Sequence, residues 1–270
     1  MLHLPVRYLR LYSRQQRYGC SESDCGMVDD TLPLPLRETA FILVDCWNMH
    51  YLRSFEERAD RICRERIAPA LAAARAAGLT VIHAPSPMIA EKYRQAEVYR
   101  DPADQTFAAQ FGAPDPDWPP AEFIARAGRH ARFARDYAVP EQFWIEPYQK
   151  IDIHPAVRPA GDDFVVVNQP QLQRLLKDKR LLHLVYVGFA TNMCLMGRDF
   201  AVRPMAWLGY NTIVLRDCTT AVEFDASLAE LTATRMALAE MEHFYGYSAL
   251  STDFIRACGE RDADPANPQA

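Results

Sequence analysis

Cys194 stands inside YVGFATNMCLMGRDF (186–200), directly after a run of small and polar residues. The preceding segment LLHLVYVG (181–188) is apolar almost throughout and closed by Gly188, which predicts a buried strand. From Met193 to Trp207 the apolar positions 195, 196, 200, 202, 206 and 207 fit a helix better than a strand. Cys194 therefore falls near a helix N-terminus, beyond the carboxyl end of a strand. Unpaired backbone N–H groups and the helix dipole there favour a thiolate and a developing oxyanion. The alternative is a cysteine that is simply buried, as this residue type often is.

Three further residues end strands of their own: Asp45 closes FILVD (41–45), His83 lies in LTVIHA (79–84), and Asp217 closes TIVLRD (212–217). A partly buried aspartate beside a thiol can take its proton and later activate water. The competing role for Asp45 is to cap the following helix. His83 suits a base, a ligand or a hydrogen-bonded structural histidine, with no second histidine or carboxylate at ligand spacing beside it. Asp217, in RDCTTA, reads most economically as a cap. The sequence has no G-x-G-x-x-G, no G-x-x-x-x-G-K-[ST] and no G-x-S-x-G, so nothing in it asks for a nucleotide, cofactor or metal.

The elements that must carry these residues alternate. After the strand at 41–45, Phe55, Ala59, Ile62, Cys63, Ile67, Ala70, Leu71 and Ala74 recur at helical spacing up to Gly78, with Pro69 predicting a kink or break. The strand 79–84 follows. Further on come a strand at 164–167, a helix in 171–179, the strand 181–188, the helix from Cys194 and the strand 212–217. A helix then runs to about 243 with Ser227 and Glu230 as its capping box, and a last strand lies near 247–251. This pattern predicts a doubly wound, mainly parallel α/β sheet with helices on both faces, whose ligands bind beyond the carboxyl ends of the strands. Residues 40–256 form one domain, interrupted by an insertion over about 85–150. Within it, segments near 89–99 and 121–135 have helical character, and Trp118, Phe123, Trp144 and Tyr148 make it rich in aromatic residues. Residues 1–39 read as an arginine-bearing arm and a proline-marked linker, and 257–270 as a disordered tail.

The chain has 270 residues, 49% of them hydrophobic, and a formal net charge of −5, enough for a sizeable core and without a basic footprint for nucleic acid or an anionic membrane. Seven cysteines, an odd number with no C-x-x-C pair, make no disulfide framework and no structural zinc site. With no signal-type apolar run, a reducing cytoplasm is expected.

The segment VGFATNMCLMGRDFAVRPMAWLGYNTIVLRD resembles the signature region of the isochorismatase-like cysteine hydrolases, and FILVDCWNMH resembles the first strand of that family. The wording of D-x-W-x-x-H, HAPS and NMC-x-x-GR is similar to one branch of it. The resemblance spans about residues 40–86 and 162–252. It implies Asp45 as general base and Cys194 as nucleophile, with a cis peptide between Phe189 and Ala190. The Ala190 and Cys194 amides then form the oxyanion hole, and Trp47, His50 and Phe189 line the pocket; the strand-end position of His83 places it on the same rim. In the family a lysine ends the strand before the signature; here FVVVNQPQL places Asn168 there. Lys150, Arg198 and a protonated His50 are candidates to replace that charge, Lys150 foremost because it closes the insertion. Arg198 shares the helix face of Cys194 but one turn deeper. The implied activity is hydrolysis of a small amide-like or related C–N substrate through a thioester on Cys194, without cofactor or metal. The alternatives are a non-catalytic small-molecule binding or assembly protein and a vinyl-ether hydrolase of the isochorismate type. Homo-oligomers with the arm or the insertion at a contact are expected.

Overall fold

The computed structural model describes residues 1–11, 18–104, 115, 117–135 and 147–260. Among these residues eight strands form one sheet: β1 Leu2–Arg10, β2 Gly26–Leu34, β3 Thr39–Val44, β4 Thr80–Ala84, β5 Phe164–Val165, β6 His183–Gly188, β7 Asn211–Leu215 and β8 Gly246–Ala249. They lie in the order β2-β1-β8-β7-β6-β3-β4-β5. The six strands from β8 to β5 run parallel, and β1 and β2 add antiparallel at one edge. Winding goes one way from β3 through β4 to β5, then returns to β6 and goes the other way through β7 to β8. The reversal falls between β3 and β6, whose partners run from Thr39 opposite His183 to Val44 opposite Gly188.

Every residue of β3 is buried, as a strand covered on both faces requires. Phe41 and Leu43 pack on one side, together with Val185 and Val187 of β6. That layer contains α1 Arg53–Ile62, α2 Ala68–Ala76 and, at the chain's end, a helix over Ser251–Gly259. Ala40, Ile42 and Val44 face the other side with Leu184 and Tyr186, against α3 Gln169–Lys179, α4 Cys194–Gly197, α5 Val202–Trp207 and α6 Thr232–Phe244. The helix Ser251–Gly259 is α7. Each fully buried Leu, Ile or Phe contributes about 1.5–3 kcal/mol, so the two layers hold the central strands rigidly.

Four expectations change. The arm and the proline-marked linker are a β-hairpin: Leu2, Leu4 and Val6 alternate inward, and the buried Glu242 accepts from Arg7 Nε at 2.8 Å. Pro33 fits because β2 is the edge strand. The kink or break expected at Pro69 is a widened turn just before it, over Cys63–Ile67, where the Ala68 N–H reaches back to the Cys63 carbonyl. Ser227 does not cap the long helix, because a one-turn helix Asp225–Leu228 intervenes and Leu231 turns the chain at φ 49°. The N-terminal N–H groups of α6 go instead to Glu223, which accepts from Ala233 N at 3.0 Å and Thr234 N at 2.9 Å. Finally, Ala257–Gly259 belong to α7 rather than to a tail.

Within the insertion, single turns occupy Pro87–Ala90 and Ala121–Ile124, and tighter turns Arg94–Glu97 and Gly128–Phe133. Trp144, Arg14, Arg17 and the tail 261–270 lie outside the described residues. Among the described residues no helix is long and apolar enough to cross a membrane.

Candidate active site at the sheet reversal

β3 and β6 end side by side, and the residues that follow them meet. The two ends are clamped by backbone: Phe189 N donates to Val44 O at 2.9 Å, and Gly188, at φ 116°, presses so closely that a Cβ there would sit 1.9 Å from Val44 O. Only glycine fits both the conformation and the gap.

The chain leaves β3 through Asp45 at φ 42°, a left-handed conformation that aspartate tolerates better than most residues. The turn buries the carboxylate, and one oxygen is fully occupied. Asp45 Oδ1 accepts from Ser86 N at 2.5 Å, Ser86 Oγ at 2.9 Å and Trp47 Nε1 at 2.9 Å. The other oxygen, Oδ2, meets Arg198 Nε at 3.4 Å. The same guanidinium donates to Ser86 Oγ at 2.6 Å, so the serine hydroxyl bridges acid and base.

Beyond β6 the chain wraps around the Ala190 carbonyl, which accepts from Met193 N at 2.9 Å and Leu195 N at 3.2 Å. The Phe189–Ala190 peptide is cis. Among the described residues the N–H groups of Ala190 and Cys194 donate to no protein acceptor, and both residues border a cavity. That cavity, about 550 Å³ including its mouth, also reaches Asp45, Trp47, His50 and Phe189. Asp45 and Cys194 thus share one pocket at the winding reversal.

Burial pushes the Cys194 thiol up to about 12; the Asp45 charge adds to this and Arg198 works against it. The helix start does not give a thiolate at neutral pH, contrary to the simple expectation, because α4 is a single turn and burial outweighs its partial charge. Burial also opposes the charge of Arg198, but Asp45 and Cys194 outweigh it and hold the guanidinium above its usual range.

A family model described as the isochorismatase domain matches residues 39–243, most of the chain. The chain belongs to the isochorismatase family. It is 24% identical over 243 residues to the ureidoacrylate amidohydrolase RutB of Azorhizobium caulinodans, covering 84% of this chain and 93% of that one. A cysteine hydrolase from Pseudomonas syringae pv. phaseolicola 1448A has the same fold, with a TM-score of 0.51 at 19% identity over 84% of this chain and 95% of that one. An isochorismatase family protein from Burkholderia thailandensis is similar at a TM-score of 0.48 and 18% identity, over 84% and 98% of the two chains. The protein is a hydrolase of the isochorismatase family.

Against that family pattern, the charge beside the thiol comes from Arg198. The helix expected to run on from Cys194 stops at Gly197, and Arg198 takes an extended backbone with ψ 154°. This break, rather than an i+4 helical relation, turns the guanidinium to Asp45. Lys150 is not the replacement: it is exposed at the end of the single turn Pro147–Lys150 and lies off the cavity wall. A protonated His50 is not one either, since burial pushes that ring down to about 4 and leaves it neutral at pH 7. Asn168 has a structural task, its side chain accepting from Gln171 N at 2.9 Å as the N-cap of α3.

His83 does not reach the pocket. It is buried on the α2 side, with Nε2 3.0 Å from Asp163 Oδ2. Asp217 caps α7, accepting from Ser251 N at 2.8 Å and Ser251 Oγ at 2.6 Å. Ser86 has one signal in the sequence, the HAPS wording at 83–86 that runs out of the end of β4.

Proposed function

We infer that the protein hydrolyses a small amide-like C–N bond through a thioester on Cys194. The observation that carries this is the convergence of the Cys194 thiol, the Asp45 carboxylate and two undonated backbone N–H groups on one cavity, with Arg198 closing the acid's far side. The similarity to a ureidoacrylate amidohydrolase supports the amide class.

A thiol that stays protonated at pH 7 attacks only if its proton leaves as the bond forms. Asp45 takes that proton while sulfur bonds to the carbonyl carbon. The oxygen, now negative, rests on the Ala190 and Cys194 N–H groups, preorganised donors of the kind worth about 3–4 kcal/mol in comparable sites. Collapse breaks the C–N bond, and the proton held by Asp45 goes to the departing amine. Water then attacks the thioester, Asp45 takes its proton and returns it to the cysteine sulfur, and the acid product leaves. Arg198 and Ser86 hold the carboxylate in place throughout.

Intact-mass spectrometry after incubation with a panel of small amides tests this. The expected result is an acyl adduct on Cys194 that is absent from Cys194→Ala. Turnover that survives Cys194→Ala excludes the thioester and points to chemistry that bypasses the sulfur.

A further inference from the structure

Among the described residues three carboxylates border the cavity: Asp45, Glu56 and Asp60. Asp45 faces Arg198, and Asp60 is held by Arg64 at 3.0 Å and by His154 Nε2 at 2.9 Å. Glu56 is different. Among the described residues its only partner is the His50 backbone N–H, which donates to Oε2 at 2.8 Å, so its charge meets no cation. No lysine or arginine among the described residues lines the cavity. Four rings, Trp47, His50, Phe55 and Phe189, form one part of the remaining wall, beside Asn48, Met49, Met193 and Val222. Trp47 and His50 lie 6.2 Å apart centroid to centroid, His50 and Phe55 4.5 Å, and Phe55 and Phe189 6.2 Å. With its ring kept neutral at pH 7, His50 adds no positive charge to this wall.

Aromatic faces beside an uncompensated carboxylate attract an alkylammonium or guanidinium group and disfavour a carboxylate. A carboxylate in the first turn of α1 that holds a backbone N–H just before the helix has a structural use as well, but that use occupies one oxygen only, and the residue still lines the cavity. Building on the amidase reading, we propose that the substrate is a cationic amide, its positive charge seated against Glu56 and the ring wall while the scissile carbonyl lies at Cys194.

The test compares three amides of similar length: β-alaninamide, with an ammonium; propionamide, neutral; and succinamate, with a carboxylate. Ammonia release should give kcat/KM in that order, with at least about tenfold between the first and last, roughly 1.4 kcal/mol. In Glu56→Gln, whose amide oxygen still accepts from His50 N–H, β-alaninamide should lose about tenfold more than propionamide does. Hydrolysis with succinamate equal or preferred, or a Glu56→Gln loss equal for all three, overturns the cationic substrate while leaving the amidase reading intact. Release of no ammonia from any amide defeats the amidase reading instead. The subsite is then judged by thermal stabilisation with benzyltrimethylammonium against benzoate: stabilisation by the cation alone, lost in Glu56→Gln, upholds it, and any other pattern overturns it.

Discussion

Two buried aspartates in this molecule are built from the same parts. Asp45 after β3 and Asp163 before β5 each meet an arginine and a second polar side chain, and both are almost fully hidden from solvent. At Asp163 three donors crowd one oxygen. His83 Nε2, the Arg75 guanidinium and Ala160 N all reach Oδ2, and Arg75 Nε approaches Oδ1 at 3.4 Å. Burial pushes that carboxyl up, but His83 and Arg75 outweigh it and hold it down at about 2. Asp45 is held in the same way, by three donors on Oδ1 and a 3.4 Å contact from Arg198 Nε on Oδ2, but it borders the cavity that the Cys194 thiol shares, and Asp163 does not. A buried ion pair becomes chemical machinery where it stands beside a nucleophile and a cavity that a substrate can enter.

The strongest way to break the comparison is to remove the charge from each aspartate. Asp45→Asn keeps the shape and should lower amide turnover by about three orders of magnitude or more, as loss of a general base does, with Cys194→Ala at least as severe. Asp163→Asn should leave kcat within about threefold and instead cost stability, about 3 kcal/mol for a broken buried pair, read from urea melts. The pH dependence sharpens this. Asp163 has its folded pKa depressed from 3.8 to about 2, so its contribution is present above about pH 4 and is lost as pH falls through about 2. Acid unfolding of Asp163→Asn should lack that loss.

Arg198→Met comes next. Arg198 is what holds the thiol from rising further, so alkylation of Cys194 by iodoacetamide at pH 9 should slow about tenfold, with Arg198→Lys in between. In the unaltered protein the alkylation rate should climb about tenfold per pH unit from 8 to 11 without a plateau, as a thiol at about 12 requires. A plateau near pH 7 contradicts the burial argument. Ser86→Ala removes the hydroxyl between Asp45 and Arg198 but leaves the backbone N–H bond, and turnover should fall about tenfold, mostly in kcat. Lys150→Met should change turnover less than twofold.

Much of this geometry can be read in the chain. The runs around 41–45, 79–84, 181–188 and 212–217 are apolar and bounded by turn residues, and each is a strand within two residues of its expected ends. Asp45 and Cys194 are legible because both lie just beyond the carboxyl ends of core strands, and the reversal of winding brings such ends together. The helix break at Gly197–Arg198 carries one local signal, Gly197, which helices also tolerate in their interior, and it is the tertiary pairing of Arg198 with Asp45 that decides against helix continuation there. The hairpin was missed for a related reason. Leu2, Leu4 and Val6 do alternate, but arginines and tyrosines mask the period, and Asp29, Asp30 and Pro33 in β2 argue locally against a strand. What makes the hairpin hold is distant: the bond from Arg7 to Glu242 and the edge of β8.

The close approach of Gly188 to Val44 has a consequence for motion. Acid and nucleophile hang from two strands, and in a softer joint each would fluctuate independently, blurring their separation. With the Gly188 α-carbon seated on the Val44 carbonyl and Phe189 N–H bound to the same oxygen, the two strand ends have one shared fulcrum. Vibration of the sheet therefore carries Asp45 and the turn leading to Cys194 as a single lever, and their mutual distance is conserved while both move.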